Sequence, residues 1–205
     1  MDKTRQRILE KAAELFRSHG IKHTTMDDIA SALGMSKKTL YHYFENKTTL
    51  VREAIKGVFD NIQNEIRQIC NDITDPYEQF FFVRKVMQEM LRNTTHHMAF
   101  YELQKWYPEV ADELKKHKLK AVMEFLSQNL ALGHKAGYYK KSLDDEFIKH
   151  FYYGNSLLMM NPEVYPPEKF ERARVGREFL KFFLTAISTK KGREHLKRIE
   201  QKYSL

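Results

Sequence analysis

The segment Thr24–Phe44 constrains the chain most, because it places two amphipathic stretches, each too short to be stable alone, on either side of one glycine. Isolated helices shorter than about 12–15 residues are marginal in water, so such pieces persist only where packing fixes them. Thr25 offers a hydroxyl cap with Asp28 three residues on, a variant of the capping box, and Ile29, Ala30 and Leu33 face inward. Gly34 ends this helix, and Ser36 caps the next, from Lys37 to about Phe44. At about 100° per residue, Leu40 and Phe44 stack on one face of that second helix. Lys38 and His42, flanked by Thr39 and Tyr41, take the other. Two short helices meeting at a tight glycine turn, the second with a polar outer face, have the layout of a helix-turn-helix.

The flanking sequence supports this reading. From Thr4 to about Arg17, Ile8, Leu9, Ala12, Leu15 and Phe16 recur at helical spacing, and His19-Gly20 closes the segment. Asn46 caps a long helix with the stripe Leu50, Ala54, Val58, Ile62, Ile66 and Ile69. Beyond Asp75-Pro76 the pattern predicts helices near 77–93, 97–105, 108–132, 143–160 and 167–188, then a basic amphipathic tail over 190–203. The clearest breaks are 133–142 and 161–167. No period-two strand pattern is present, so the expected fold is all-α.

The outward residues suit a groove lined with phosphates and base edges. Lys37 and Lys38 can reach phosphates or guanine edges, Thr39 and Tyr41 a thymine methyl or a phosphate, and His42 can donate to a base acceptor. Asn46 and Lys47 open the long helix, where backbone N–H groups, the helix dipole and an ammonium would hold a phosphate. The chain carries a net charge of +8 and a pI near 9.4, which favours polyanionic partners. Residues 1–56 hold eleven Lys and Arg against seven Asp and Glu, only +4, so contacts must be local and a dimer is needed to multiply them. Taken singly, Lys37, Lys38 and His42 read equally well as solvated surface residues.

Other classes are disfavoured. There is no Gly-rich phosphate loop, Gly-x-Ser-x-Gly elbow or His-Glu-x-x-His, so no enzyme is expected. His96 and His97 would point to different helix faces, and a lone Cys70 offers neither a disulfide nor zinc-ligand spacing. No metal or cofactor is implied. The N-terminus lacks the apolar run of a signal peptide, and no stretch approaches about 18 apolar residues, so a cytoplasmic protein without a membrane span is expected.

These residues resemble the TetR (tetracycline-repressor) family of bacterial transcriptional regulators. The marks are Ile8-Leu9-x-x-Ala12-x-x-Leu15-Phe16 running to Gly20, Thr24-Thr25-x-x-Asp28-Ile29-Ala30, Leu40-Tyr41-x-Tyr43-Phe44 and Lys47-x-x-Leu50, all within about residues 4–55. The resemblance implies a three-helix DNA-binding domain over 1–46 and a helical effector-binding and dimerisation domain over 47–205, with the long helix from 47 joining them. It implies DNA contacts at Thr25, Ser36, Lys37, Lys38, Thr39, Tyr41, His42 and Lys47, with Leu40 and Phe44 holding the recognition helix to its core. The chain departs from the family at Asp27, where members often carry a base; an acid suits the helix dipole but repels phosphate.

The implied function is a homodimeric repressor, released from a palindromic operator in double-stranded DNA by a small, largely apolar effector. Candidate effector residues are Phe80, Met87, Phe100, Tyr101, Trp106 and Met123, since aromatic and Met side chains can wall an apolar pocket. Taken residue by residue, the same side chains read better as plain core. Dimerisation is expected through the last two long helices, with Phe147, Phe151, Leu158, Phe179, Phe183 and Ile187 supplying apolar surface and Gly154 and Gly176 allowing close approach; the alternative for the same residues is use within the subunit's own core. An alternative is a ligand-independent DNA-binding protein acting through protein partners. The basic tail reads as a solvated helical face.

Overall fold

The computed structural model describes residues 2–92, 102–159 and 161–203. Nine helices of seven residues or more are found among them: α1 Lys3–His19, α2 Met26–Ala32, α3 Lys37–Tyr43, α4 Lys47–Asp72, α5 Pro76–Arg92, α6 Pro108–Lys135, α7 Asp145–Leu158, α8 Arg172–Ile187 and α9 Lys190–Lys202. Residues 102–106 form a further helical turn. Among the described residues the only β pairing is the isolated bridge Tyr139 to Ser188, so the all-α expectation holds. The expected helix at 97–105 lies largely outside the described residues.

Two boundaries differ from the sequence reading for identifiable reasons. Gly133 does not stop α6, which runs on to Lys135, because the missing side chain at 133 is filled by the ring of Tyr139; an added Cβ would lie 2.0 Å from it. The stop is Gly137, at φ 70°, with Tyr138 N–H returning to the Gly133 carbonyl at 2.9 Å. α8 starts at Arg172 rather than near 167, because residues 161–170 are folded into turns, with Asn161 Oδ1 accepting from Glu163 N–H at 2.8 Å.

The chain forms two compact units, Met1–Asn64 with Glu89–His117, and Glu65–Gln88 with Lys118–Leu205. This division differs from the expected boundary at 46/47: the first unit takes in the start of α4 and the residues after 88. Its core gathers Ile8, Phe16, Ile29, Leu40, Phe44 and Leu50 from α1–α4 with Leu103, Val110 and Leu114. Three short helices cannot enclose a core alone, and the later segment completes it.

The second unit is built on Tyr77, Phe80, Phe125, Leu126, Leu184 and Leu196. Gln79, Asn129 and Tyr139, buried in this unit, satisfy one another as a network. Asn129 donates to the Pro76 carbonyl at 2.8 Å and to Gln79 Oε1 at 2.9 Å, and accepts from Tyr139 OH at 3.0 Å. Gln79 in turn donates to the Cys70 and Ile73 carbonyls, fixing the end of α4 to α5 and α6. α9 lays Leu196 and Ile199 on this core and turns its basic residues outward.

Candidate nucleic-acid interface

The helix-turn-helix is assembled by its caps. Thr25 Oγ1 accepts from Asp28 N–H at 3.1 Å, while Asp28 Oδ2 accepts from Thr25 N–H at 2.8 Å, a complete capping box. Those backbone and hydroxyl bonds from Thr25 hold the Asp28 carboxyl below the ordinary Asp range. Gly34 at φ 64° makes the turn, and Met35 N–H bonds the Ala30 carbonyl at 3.0 Å. Ser36 Oγ then accepts from Thr39 N–H at 3.0 Å to start α3, and Asn46 Oδ1 accepts from Thr49 N–H at 2.9 Å to start α4.

α3 is oriented by what it buries. Leu40 and Phe44 are almost wholly enclosed, and the Arg5 guanidinium lies over the Phe44 ring, 4.8 Å from its centroid, while pairing with Glu53. The opposite face presents Ser36, Lys37, Lys38, Thr39, Tyr41 and His42, all exposed; Tyr41 keeps 42% of its surface, and His42 stands edge-on to Tyr43.

Two expected contact residues are engaged within the unit. Lys37 Nζ pairs with Asp27 at 2.9 Å, so the acid that sets this chain apart at the start of α2 is neutralised from α3. Both groups are exposed, so water and salt screen the pair and a phosphate can displace it. Lys47 is half-buried and donates to the Ile21 carbonyl at 2.6 Å and the Lys22 carbonyl at 3.3 Å. Burial pushes its pKa down, against the opposing pull of Glu102 and Asp28.

The sequence reading did not anticipate Glu102. Its carboxylate, 6% exposed, accepts from Ile21 N–H at 2.6 Å and Lys22 N–H at 3.3 Å. The turn after α1 is thus gripped through its N–H groups by Glu102 and through its carbonyls by Lys47. Gly20, at φ 86°, lets the chain pass so close that an added Cβ would sit 3.1 Å from Glu102 Oε1. A pairing across about eighty residues leaves no local pattern to read.

The effector candidates are scattered. Phe80 is closed into the second unit's core, with ring centroids 5.1 Å from Phe125 and 5.8 Å from Phe183; Met87 and Met123 are half-buried in the same unit. Trp106 belongs to the first unit and is 47% exposed, with Lys22 Nζ 4.8 Å and Lys105 Nζ 5.2 Å from its centroid. Phe100 and Tyr101 lie outside the described residues. Of the dimerisation candidates, Phe147, Phe151 and Leu158 are exposed on α7, and Phe179 is half-buried against Tyr152. Phe183 and Ile187 correct the expectation: each is 2% exposed, turned into the subunit's own core, and offers a partner nothing. Phe182, one residue on from the expected stripe, is 68% exposed instead.

Residues 8–54 match the family of bacterial regulatory proteins called tetR. The HTH-type transcriptional repressor KstR2 of Mycolicibacterium smegmatis is 23% identical, the alignment covering 93% of this chain and 94% of that protein. Among solved structures, the fatty acid degradation regulator FadR from Bacillus halodurans is similar at a TM-score of 0.69 and 21% identity, covering 90% of this chain and 96% of that one. A TetR transcription regulator from Haloarcula marismortui reaches 0.79 at 16% identity, covering 92% and 100%.

Proposed function

We propose that this chain, whose residues 8–54 match the tetR family of bacterial regulatory proteins, is a cytoplasmic transcriptional repressor that binds an inverted-repeat operator as a homodimer. The observation that carries this reading is α3: anchored inward by Leu40 and Phe44, it presents Lys37, Lys38, Thr39, Tyr41 and His42 together on one exposed face. Lys38 and His42 address base edges, Tyr41 and Thr39 a phosphate or thymine methyl, and the capped starts of α2 and α4 bring N–H groups to flanking phosphates. On contact, Lys37 exchanges Asp27 for phosphate. Lys47 holds the turn before α2 in place and adds positive potential at the start of α4.

Release by a small effector is the second part of the proposal. α4 and α6 each supply residues to both compact units, so a ligand that shifts either helix in the second unit acts on an element of the first. Half-sites lie about 34 Å apart, and a shift of a few ångströms in recognition-helix spacing weakens binding strongly. The names of the relatives concern ketosteroid and fatty acid regulation, which suits a largely apolar effector. The closed packing of Phe80, Phe125, Tyr152 and Phe183 favours instead a regulator that works without a ligand through protein partners.

The test is enrichment of fragmented genomic DNA on the purified protein across a salt series. A short inverted repeat whose affinity falls steeply with salt is expected. Motif-free binding at every salt concentration would sink the operator-reading proposal.

A further inference from the structure

Among the described residues of the second unit, Arg84, Lys118 and Arg177 form no ion pair. Arg84, on α5, has its Nε buried without a hydrogen-bond partner among the described residues. Burial first, and the nearby Arg177 guanidinium of α8 second, push its pKa down, so like charge faces like charge. Among the described residues neither arginine forms an ion pair with an Asp or Glu, and the same is true of Lys118 on α6. Lys118 keeps some exposed surface, yet its ammonium is sunk deeply enough for desolvation alone to lower its pKa.

The helix register places these groups. Asn129 bonds Pro76 and Gln79, and Phe125 packs on Phe80, so α5 and α6 run antiparallel with Arg84 level with about residue 121 and Lys118 about one turn further along. Phe80 also packs on Phe183, and Arg177 lies further toward the start of α8, on the same side as Arg84. Followed along these helices, the aromatic interior gives way to the half-buried Arg84 and Lys118, with Arg177 at the surface. A partly desolvated guanidinium beside a second one is unfavourable unless an anion neutralises them, and a fork of donors is the geometry that carboxylates and phosphates fit.

We propose that Arg84 and Arg177, with Lys118 behind them, form a subsite for the anionic head of an amphipathic effector, a carboxylate or a phosphate, whose apolar body lies along the half-buried Val83, Val122 and Phe179. This deepens the effector-release reading and rests on it. Arg177 is exposed, so the head sits at the mouth of the site, while Arg84 and Lys118 meet it from within. Bridging Arg84 and Arg177 draws α5 and α8 together, and engaging Lys118 acts on α6, the helix that also supplies Val110 and Leu114 to the first unit's core.

Calorimetric titration of the full-length protein with decanoate, decyl phosphate and decanol tests this, with DNA affinity measured in parallel. One or both anions should bind at least about tenfold tighter than decanol, the worth of a charge-assisted hydrogen bond, and which anion leads tells carboxylate from phosphate. Arg84→Gln and the exposed, fold-neutral Arg177→Gln should each abolish that preference while leaving decanol binding and DNA affinity unchanged. Equal binding of decanol and the anions, no binding of any, or a preference surviving both substitutions overturns the proposal. So does a loss of dimer in Arg177→Gln, which would assign the pair to a subunit contact. Anion binding without DNA affinity would keep the subsite and sink the repressor reading instead.

Discussion

Single side chains separate reading DNA from holding the reader in shape. Tyr41 is exposed and, among the described residues, makes no hydrogen bond that fixes the fold, so Tyr41→Ala should weaken operator binding by about tenfold, the order of one or two lost phosphate or base contacts, with an unchanged melting temperature. Equal affinity of the variant and the parent in a fluorescence-anisotropy titration would show that α3 docks through other residues. Glu102 is the opposite case. Removing its carboxylate in Glu102→Ala leaves the buried Ile21 N–H unsatisfied at a cost of about 1–3 kcal/mol, so urea unfolding should show the loss directly. Glu102→Gln keeps an acceptor and should recover most of it. Cys70 is half-buried, and desolvation raises its thiol pKa. At pH 8 its thiolate fraction is therefore below that of free cysteine, and alkylation by iodoacetamide should be correspondingly slower. Tyr41 was legible from spacing alone; Glu102 was not, because its partners lie in a turn eighty residues away.

Among the elements, those fixed by local chemistry were the legible ones. The caps Thr25, Ser36 and Asn46 and the turn at Gly34 are decided within four residues, and each sits in the structure as the pattern suggests. Gly133 misled because a glycine read locally is a breaker, whereas here it is a seat for Tyr139. This makes Gly133→Ala informative. In an exposed helix the change would stabilise by about 1 kcal/mol through propensity. Here the new methyl meets a ring that is itself buried and hydrogen-bonded to Asn129, and overpacking of this kind costs about 1–3 kcal/mol. The overpacking exceeds the propensity gain, so the variant should melt lower than the parent. A higher melting temperature would mean that Tyr139 moves aside freely and that the Asn129 network contributes little. The interior and exterior faces of α8 were likewise assigned one residue out of phase, since Phe179, Phe182 and Phe183 all fit an apolar stripe and only the position of Phe80 and Tyr152 decides which turns inward.

For the whole molecule, that same phase bears on assembly. An isolated subunit leaves Phe147 64% exposed and stacked on Phe151, and Phe182 68% exposed, while a Cβ at Gly154 or Gly176 would meet nothing within 4 Å. Large apolar side chains beside open glycines on α7 and α8 form a surface that a second copy can approach closely, and fully burying one phenylalanine contributes about 1.5–3 kcal/mol. In a two-fold interface each substitution acts twice. Phe147→Ser combined with Phe182→Ser should therefore raise the dimer dissociation constant by at least about a hundredfold, measured by sedimentation, with helix content unchanged. The net charge near α3 is too small for one subunit to bind tightly, so operator affinity should fall with the dimer and return when protein concentration is raised. A variant that remains dimeric at the same concentration would place the interface elsewhere; a monomer that holds the operator undiminished would mean that one helix-turn-helix suffices.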